Sequence, residues 1–250
     1  TFTVETGGSE RLRVDSSGNV AIGTATAGGT LHVENSGELN AFFEGSASTL
    51  GARILLKNNN NTANAYNDIE GADAGGQGTS AIRFINVNDG NNEGELAILT
   101  RPSGGSITER LRITSTGGFH FTNGELIERA KVTAGKLSDN TNIDLENGMV
   151  HLFTTQETTT STPNIRINSS TSLNSVMAVG EMISVTLITT AAAAGYSAQL
   201  TIDGNAVTEN WTGGSAPSDG GSSGVDIYAY TIIKTANATF TVVATQTKTS

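Results

Sequence analysis

Two stretches 99 residues apart read almost alike: Ser9–Ile22, SERLRVDSSGNVAI, and Thr108–Phe121, TERLRITSTGGFHF. Glu10, Arg11, Leu12, Arg13, Ser16 and Gly18 recur as Glu109, Arg110, Leu111, Arg112, Ser115 and Gly117. In the first copy Leu12 and Val14 alternate with Arg11 and Arg13, and Val20 and Ile22 resume the same parity after a Ser-Ser-Gly-Asn turn. Successive residues of a strand point to opposite faces, so each copy is predicted to be a hairpin with one apolar face and one arginine-bearing face. Gly18 and Gly117 stand where the turn needs positive φ, which glycine adopts at little steric cost.

Between the copies, short alternating runs continue at Ala41–Glu44, Ala52–Lys57, Ala65–Glu70, Ala81–Val87 and Leu96–Thr100. Their separators (58–61, 71–78, 88–94 and 101–106) are rich in Asn and Gly, which predicts a β-meander and argues against alternating strands and helices. Residues 1–123 are therefore expected to form a repetitive shaft, with a truncated repeat over 1–34 and a fuller unit over 41–123. Residues 124–150 are expected to be a connector. Within it Glu125–Val132 admits a short helix, with Leu126, Ile127 and Ala130 on one face, or another strand; the surrounding texture favours strand.

From about residue 151 the texture changes. Thr and Ser dominate 154–162, and longer alternating runs follow: Ile183, Val185, Leu187 and Thr189 share one parity, as do Tyr196, Ala198, Leu200 and Ile202. Asp203-Gly204 is a strong two-residue hairpin signal. A loop at Gly213–Gly224 separates Trp211 from the strands Val225–Lys234 and Thr239–Thr245. About six strands in ~100 residues predict a C-terminal β-sandwich head over 151–250, jelly-roll-like in size.

Composition agrees with an all-β chain. Only 5% of residues are aromatic and 30 are Gly, so large core-formers are scarce, yet β-branched runs such as Ile183–Thr190 set it apart from a disordered chain. The net charge of −10 is spread evenly, with 8 Lys+Arg against 13 Asp+Glu in 1–123 and 6 against 11 in 124–250. Without a basic stripe, neither nucleic acid nor anionic lipid is an expected partner. The absence of cysteine removes disulfides and thiolate metal sites. No apolar run approaches the ~20 residues of a membrane helix, so no membrane insertion is expected. The opening run Thr1-Phe2-Thr3-Val4 reads as mid-strand, which suggests a piece of a longer protein.

The phrase ERLRVDSSGNVAIGT (Glu10–Thr24), followed by Leu31-His32-Val33, resembles a repeat of tail-fibre and virion-appendage proteins of phages infecting marine cyanobacteria. Leu137–Asn168, with Asn142-Ile143-Asp144-Leu145 and Asn164-Ile165-Arg166-Ile167-Asn168, looks like a segment of the same proteins. Asn210–Ala244 is similar to the carboxy-terminal domains of such fibres. The resemblance implies an intertwined homotrimer on the virion, outside the cell. Its distal head would meet a host cell-surface component, a polysaccharide foremost, and a missing N-terminal part would join other virion proteins. Many proteins with the first motif end in a self-cleaving chaperone domain, and nothing in this chain looks like one. The rival reading is a purely structural capsid or tail appendage without a receptor role.

Catalysis, cofactors and metals are not expected. His32, His120 and His151 each stand alone, and the paired-histidine spacing of metal-bearing needles is missing. Asp68, Glu70 and Asp73, or Asp89, Glu93 and Glu95, supply carboxylates for a polysaccharide depolymerase. Such enzymes usually carry a long β-helix, and no stacked repeat of that kind is visible. Asn86–Glu95 has oxygen ligands for calcium but not the ordered spacing of a calcium loop. Binding leaves a softer trace: Trp211, the only tryptophan, borders the long loop, with Asp219, Asp226, Tyr228 and Tyr230 in it or just beyond. These five are the candidate ligand-binding residues, weighed against Trp211 and the tyrosines simply filling a core.

Overall fold

A computed structural model describes residues 1–35, 43 and 54–249. The chain is nearly all β and divides into two compact units, Thr1–Gly124 and Glu125–Ser250. No helix among the described residues is long and apolar enough to cross a membrane.

Among its described residues the first unit holds two sheets. One orders β1 (Phe2–Thr6), β2 (Ser9–Val14), β3 (Val20–Ile22) and β4 (Leu31–Val33) side by side, with β4 parallel to β3. The other orders β5 (Ala65–Ala72), β6 (Gly78–Asn88), β7 (Glu93–Thr100), β8 (Thr108–Ile113) and β9 (Phe119–His120), each antiparallel to the next. The expected strand at Ala41–Glu44 lies outside the described residues save Phe43, and Ile54–Lys57 is not strand.

The sequence repeat is a structural repeat, and it is longer than the sequence shows. Gly18 donates to the Asp15 carbonyl at 3.2 Å and Gly117 to the Thr114 carbonyl at 2.9 Å, with φ of 84° and 85°. Ahead of each hairpin lies a strand with the same bulge, between Val4 and Glu5 and between Ile98 and Leu99. The bulge leaves Arg11 and Arg110 unpaired in register. Each then reaches back to a threonine at the end of the preceding strand, Arg11 Nε to Thr6 Oγ1 and Arg110 Nε to Thr100 Oγ1. Thus β1-β2-β3 and β7-β8-β9 are the same three-strand unit, although Thr3–Thr6 and Ala97–Thr100 share little sequence.

The second unit departs from the expected strand arrangement. Six strands run in the order β10 (Ala130–Thr133), β12 (Val150–Glu157), β14 (Met182–Ala191), β18 (Val225–Ala236), β19 (Thr239–Lys248) and β17 (Glu209–Trp211). Four others run β11 (Asn142–Asp144), β13 (Asn164–Arg166), β15 (Thr201–Ile202) and β16 (Asn205–Ala206). From β10 to β15 the chain alternates between the sheets, and the pairs β10–β12, β12–β14, β11–β13 and β13–β15 are all parallel. The chain therefore winds three stacked turns before closing with antiparallel strands. Residues 125–150, expected as a connector, supply the first turn: Leu137, Ile143 and Leu145 sit in the core beside Phe153, Val185 and Tyr228. The absence of stacked turns inferred from sequence is corrected here; the stack is short, and its turns differ in length. Glu125–Arg129 belongs to no element, and no helix forms there.

Side chains of equivalent positions bond along the stack. Ile143, Ile165 and Ile202 pair in register, each at most 1% exposed, and burying each contributes roughly 1.5–3 kcal/mol. Beside them Asn164 Nδ2 donates to Asn142 Oδ1 at 3.0 Å, and Thr201 Oγ1 donates to Asn164 Oδ1 at 3.0 Å. Arg166 pairs with Asp144 at 2.6 Å, and Asn168 Nδ2 donates to Glu146 at 2.8 Å. Asp203 and Gly204, both at positive φ, make the expected hairpin between β15 and β16. A short helix, α1 (Leu173–Val176), sits in the long excursion between β13 and β14. Its last carbonyls are closed by the buried Lys234, whose Nζ donates to Asn174 O and Met177 O.

Glu157, at the end of β12, is a buried carboxylate that holds the chain's turns together. It accepts from the Ser138 amide and hydroxyl (2.7 and 2.9 Å) and from the amides of Thr158 and Thr159. Burial alone would raise its pKa; the donated hydrogen bonds outweigh burial and hold it below the ordinary 4.5. The stabilisation is complete above that ordinary value and is lost as pH falls through the lower folded one. Glu157→Gln is expected to be less stable than the parent at pH 7 and to lose less on acidification below pH 4.5, so that the two stability curves converge in acid. Denaturant titrations across that range read this directly, and parallel curves would contradict it.

Candidate functional site

Two kinds of surface stand out, one in each unit. In the first unit the strand registers line up apolar residues across four strands of each sheet. Phe2, Val14, Val20 and Leu31 form one row and Val4, Leu12, Ile22 and Val33 another. In the five-stranded sheet the rows are Phe84, Leu96, Ile113 and Phe119, and Ile69, Ile82, Ile98 and Leu111. Among the described residues nothing covers these rows: Phe2 is 62% exposed, Leu31 67%, Ile69 53% and Phe119 66%.

The opposite faces are closed by charge. Asp68, Arg83, Ala97, Arg112 and His120 align across the larger sheet. Arg83 pairs with Asp68 through two bonds of 2.9 and 2.7 Å and lies 3.7 Å over the Tyr66 ring. Arg112 binds both Glu109 and Glu95. These arms bury Ala97, as the Arg13–Glu10 pair buries Ala21 in the smaller sheet. Acids that sequence alone offered to a depolymerase are thereby engaged: Asp68 and Glu95 neutralise arginines, and Asp73 accepts the amides of Gly75 and Gln77 in its own turn.

The histidines have separate surroundings. His120 is exposed on the arginine-bearing face. His32 Nδ1 lies 3.1 Å from both the Gly28 amide and the Thr26 carbonyl. His151 is buried, which lowers its pKa, and its Nε2–H donates to the Gly148 carbonyl at 3.0 Å. Among the described residues no three metal-ligating side chains gather.

In the second unit, the five candidate binding residues separate by depth. Trp211, on the edge strand β17, is half-buried, its ring meeting Tyr230 edge-on at 6.3 Å and 71°. Asp219 is exposed in the loop and paired with Lys248 at 2.6 Å. Asp226, Tyr228 and Tyr230 are buried and cannot meet a ligand at the surface. The reason is parity: they occupy every second position of β18 together with Ile232, on the face that packs into the core. The Asp226 carboxylate instead accepts from the Gly221 amide and Gln246 Nε2, pinning the base of the loop, and the Tyr228 hydroxyl accepts from the Ser197 amide and from the same Gln246. The partners that sequence reading missed are Ser197, Gln246, Gln199 and Glu209; period-2 parity along β18 was the available signal for the burial, and nothing local marks the others.

The two tyrosines differ in one respect that a substitution exposes. The Tyr230 hydroxyl lies near Ser197 but completes no hydrogen bond. Tyr230→Phe is expected to leave stability unchanged or raise it by up to about 1 kcal/mol, whereas Tyr228→Phe strands the Ser197 amide and Gln246 and costs about 1–3 kcal/mol. Equal effects in denaturant titrations would contradict this placement.

Comparison of the chain with models of known protein families and with curated proteins found no match to either.

Proposed function

We propose that this chain is part of a homotrimeric phage fibre or other virion appendage, working outside the cell by assembly and surface binding rather than by catalysis. The observation that carries the reading is the uncovered pair of apolar rows in each of two repeated sheets. Such a sheet is half a core. Phe2, Leu31, Ile69 and Phe119, each more than half exposed along these rows, would be covered by a partner sheet. The rows themselves are apolar and recur with one register, so parallel copies of the same chain can meet sheet to sheet, with Arg11 and Arg110 tied to Thr6 and Thr100 at the end of each face. Three copies around an axis would cover all three faces and protect strand edges.

In this reading residues 1–124 belong to the shaft and the second unit is the head that meets a host surface component, a polysaccharide foremost. Support for the head's role is the half-exposed tryptophan beside a long loop held on a rigid scaffold. The test is adsorption: the labelled chain should bind permissive cells and be displaced by isolated host surface glycan. A chain that binds no permissive host has no receptor role and is a structural appendage only.

A further inference from the structure

The geometry points to the groove beside Trp211 as a subsite for a neutral hexose segment of a polysaccharide, an inference that rests on the head binding glycan. The groove has a volume of about 510 Å³, within the range of small-molecule sites. Its walls are the edge strand β17 and the segment entering β15, and three contacts fix them. Glu209 Oε1 accepts from the Leu200 amide at 2.5 Å, Asn210 Nδ2 donates to the Val242 carbonyl at 2.9 Å, and Trp211 rests edge-on against Tyr230. Those contacts use only part of each polar group. Glu209 Oε2 is left without a partner among the described residues, and the exposed Gln199 amide makes no side-chain hydrogen bond there.

An indole flanked by a carboxylate oxygen and a complete carboxamide suits the two aspects of a sugar. The ring offers an apolar plate for the C–H face of a pyranose, and the two polar groups, Glu209 and Gln199, offer acceptors and donors for hydroxyls at its rim. Because the scaffold already fixes Trp211, Glu209 and Asn210, little conformational freedom is lost on binding. Charge sets the selectivity. No Lys, Arg or His lines the groove and Glu209 does, so a uronate or sulfated segment would bring a second anion beside that carboxylate.

Trp211 is the only tryptophan, so intrinsic fluorescence of the intact chain reports on this groove alone. The probes are cellohexaose, maltohexaose, the neutral polysaccharide fraction of a host that the chain adsorbs to, and an oligouronate. At least one neutral probe should shift the emission saturably, and the oligouronate should not. Gln199→Ala, at an exposed position, should weaken that binding roughly three- to tenfold while leaving the circular dichroism and the emission of the free chain unchanged. An unmoved emission with every neutral probe, an equal response to the oligouronate, or a Gln199→Ala chain that binds as before would overturn the subsite. If cells are still bound and glycan still competes, the head reads its receptor elsewhere; if adsorption is absent too, the receptor reading falls with the subsite.

Discussion

Ile165→Ala is expected to lower the unfolding free energy of the second unit by about 2–5 kcal/mol, the cost of emptying a packed site. Ile165 is fully buried in the middle turn of the stack, paired in register to Ile143 below and Ile202 above. Collapse around the lost atoms is hindered from both sides, because Asn164 is tied to Asn142 and Thr201 and Arg166 to Asp144. The matched control is Val132→Ala on β10, the edge strand of the six-stranded sheet, 60% exposed, for which a change within about 0.5 kcal/mol is expected. Denaturant unfolding at one fixed protein concentration measures both, since any assembly links stability to concentration. A loss below about 1 kcal/mol at Ile165 would mean that the three turns do not share a close-packed core.

On the proposed trimer, Phe84→Asp is expected to convert the assembly to monomer without unfolding the chain. Phe84 lies on β6 at the end of an apolar row, between Asn67 on β5 and Leu96 on β7. In the isolated chain the new carboxylate would stand in water, and its effect on the fold should stay near the ±0.5 kcal/mol of an ordinary surface change. In a threefold assembly three carboxylates would be buried together without partners, each costing several kcal/mol. The same substitution at Asn205 in the second unit, an exposed hairpin position, should leave the mass unaltered. Light scattering with circular dichroism separates loss of assembly from loss of fold; an unchanged mass for Phe84→Asp would move the interface off this face.

The parts of this structure legible in sequence are those where local chemistry decides alone. The ERLR hairpins, their Gly18 and Gly117 turns and the Asp203-Gly204 turn follow from alternation and from backbone positions that demand positive φ. What stayed hidden depends on partners distant in the chain. Asn142-Ile143-Asp144 and Asn164-Ile165-Arg166 are visible as similar triplets, but the third turn offers only Thr201-Ile202 in strand, and the turns differ in length by the excursion carrying α1. Parallel pairing was therefore missed, and residues 125–150 were separated from the core they help to build. At the candidate site, the polar and aromatic residues after the long loop were read by type and not by parity; parity along β18 puts Asp226, Tyr228 and Tyr230 inside, while Trp211 is half-buried on β17 and Asp219 is exposed in the loop.

The central claim, that this chain completes its core with copies of itself, is tested most directly by the native mass from light scattering coupled to gel filtration. With a chain of 25.7 kDa the account predicts a trimer of three copies, about 77 kDa. A stable 25.7 kDa species across the accessible concentration range would contradict it.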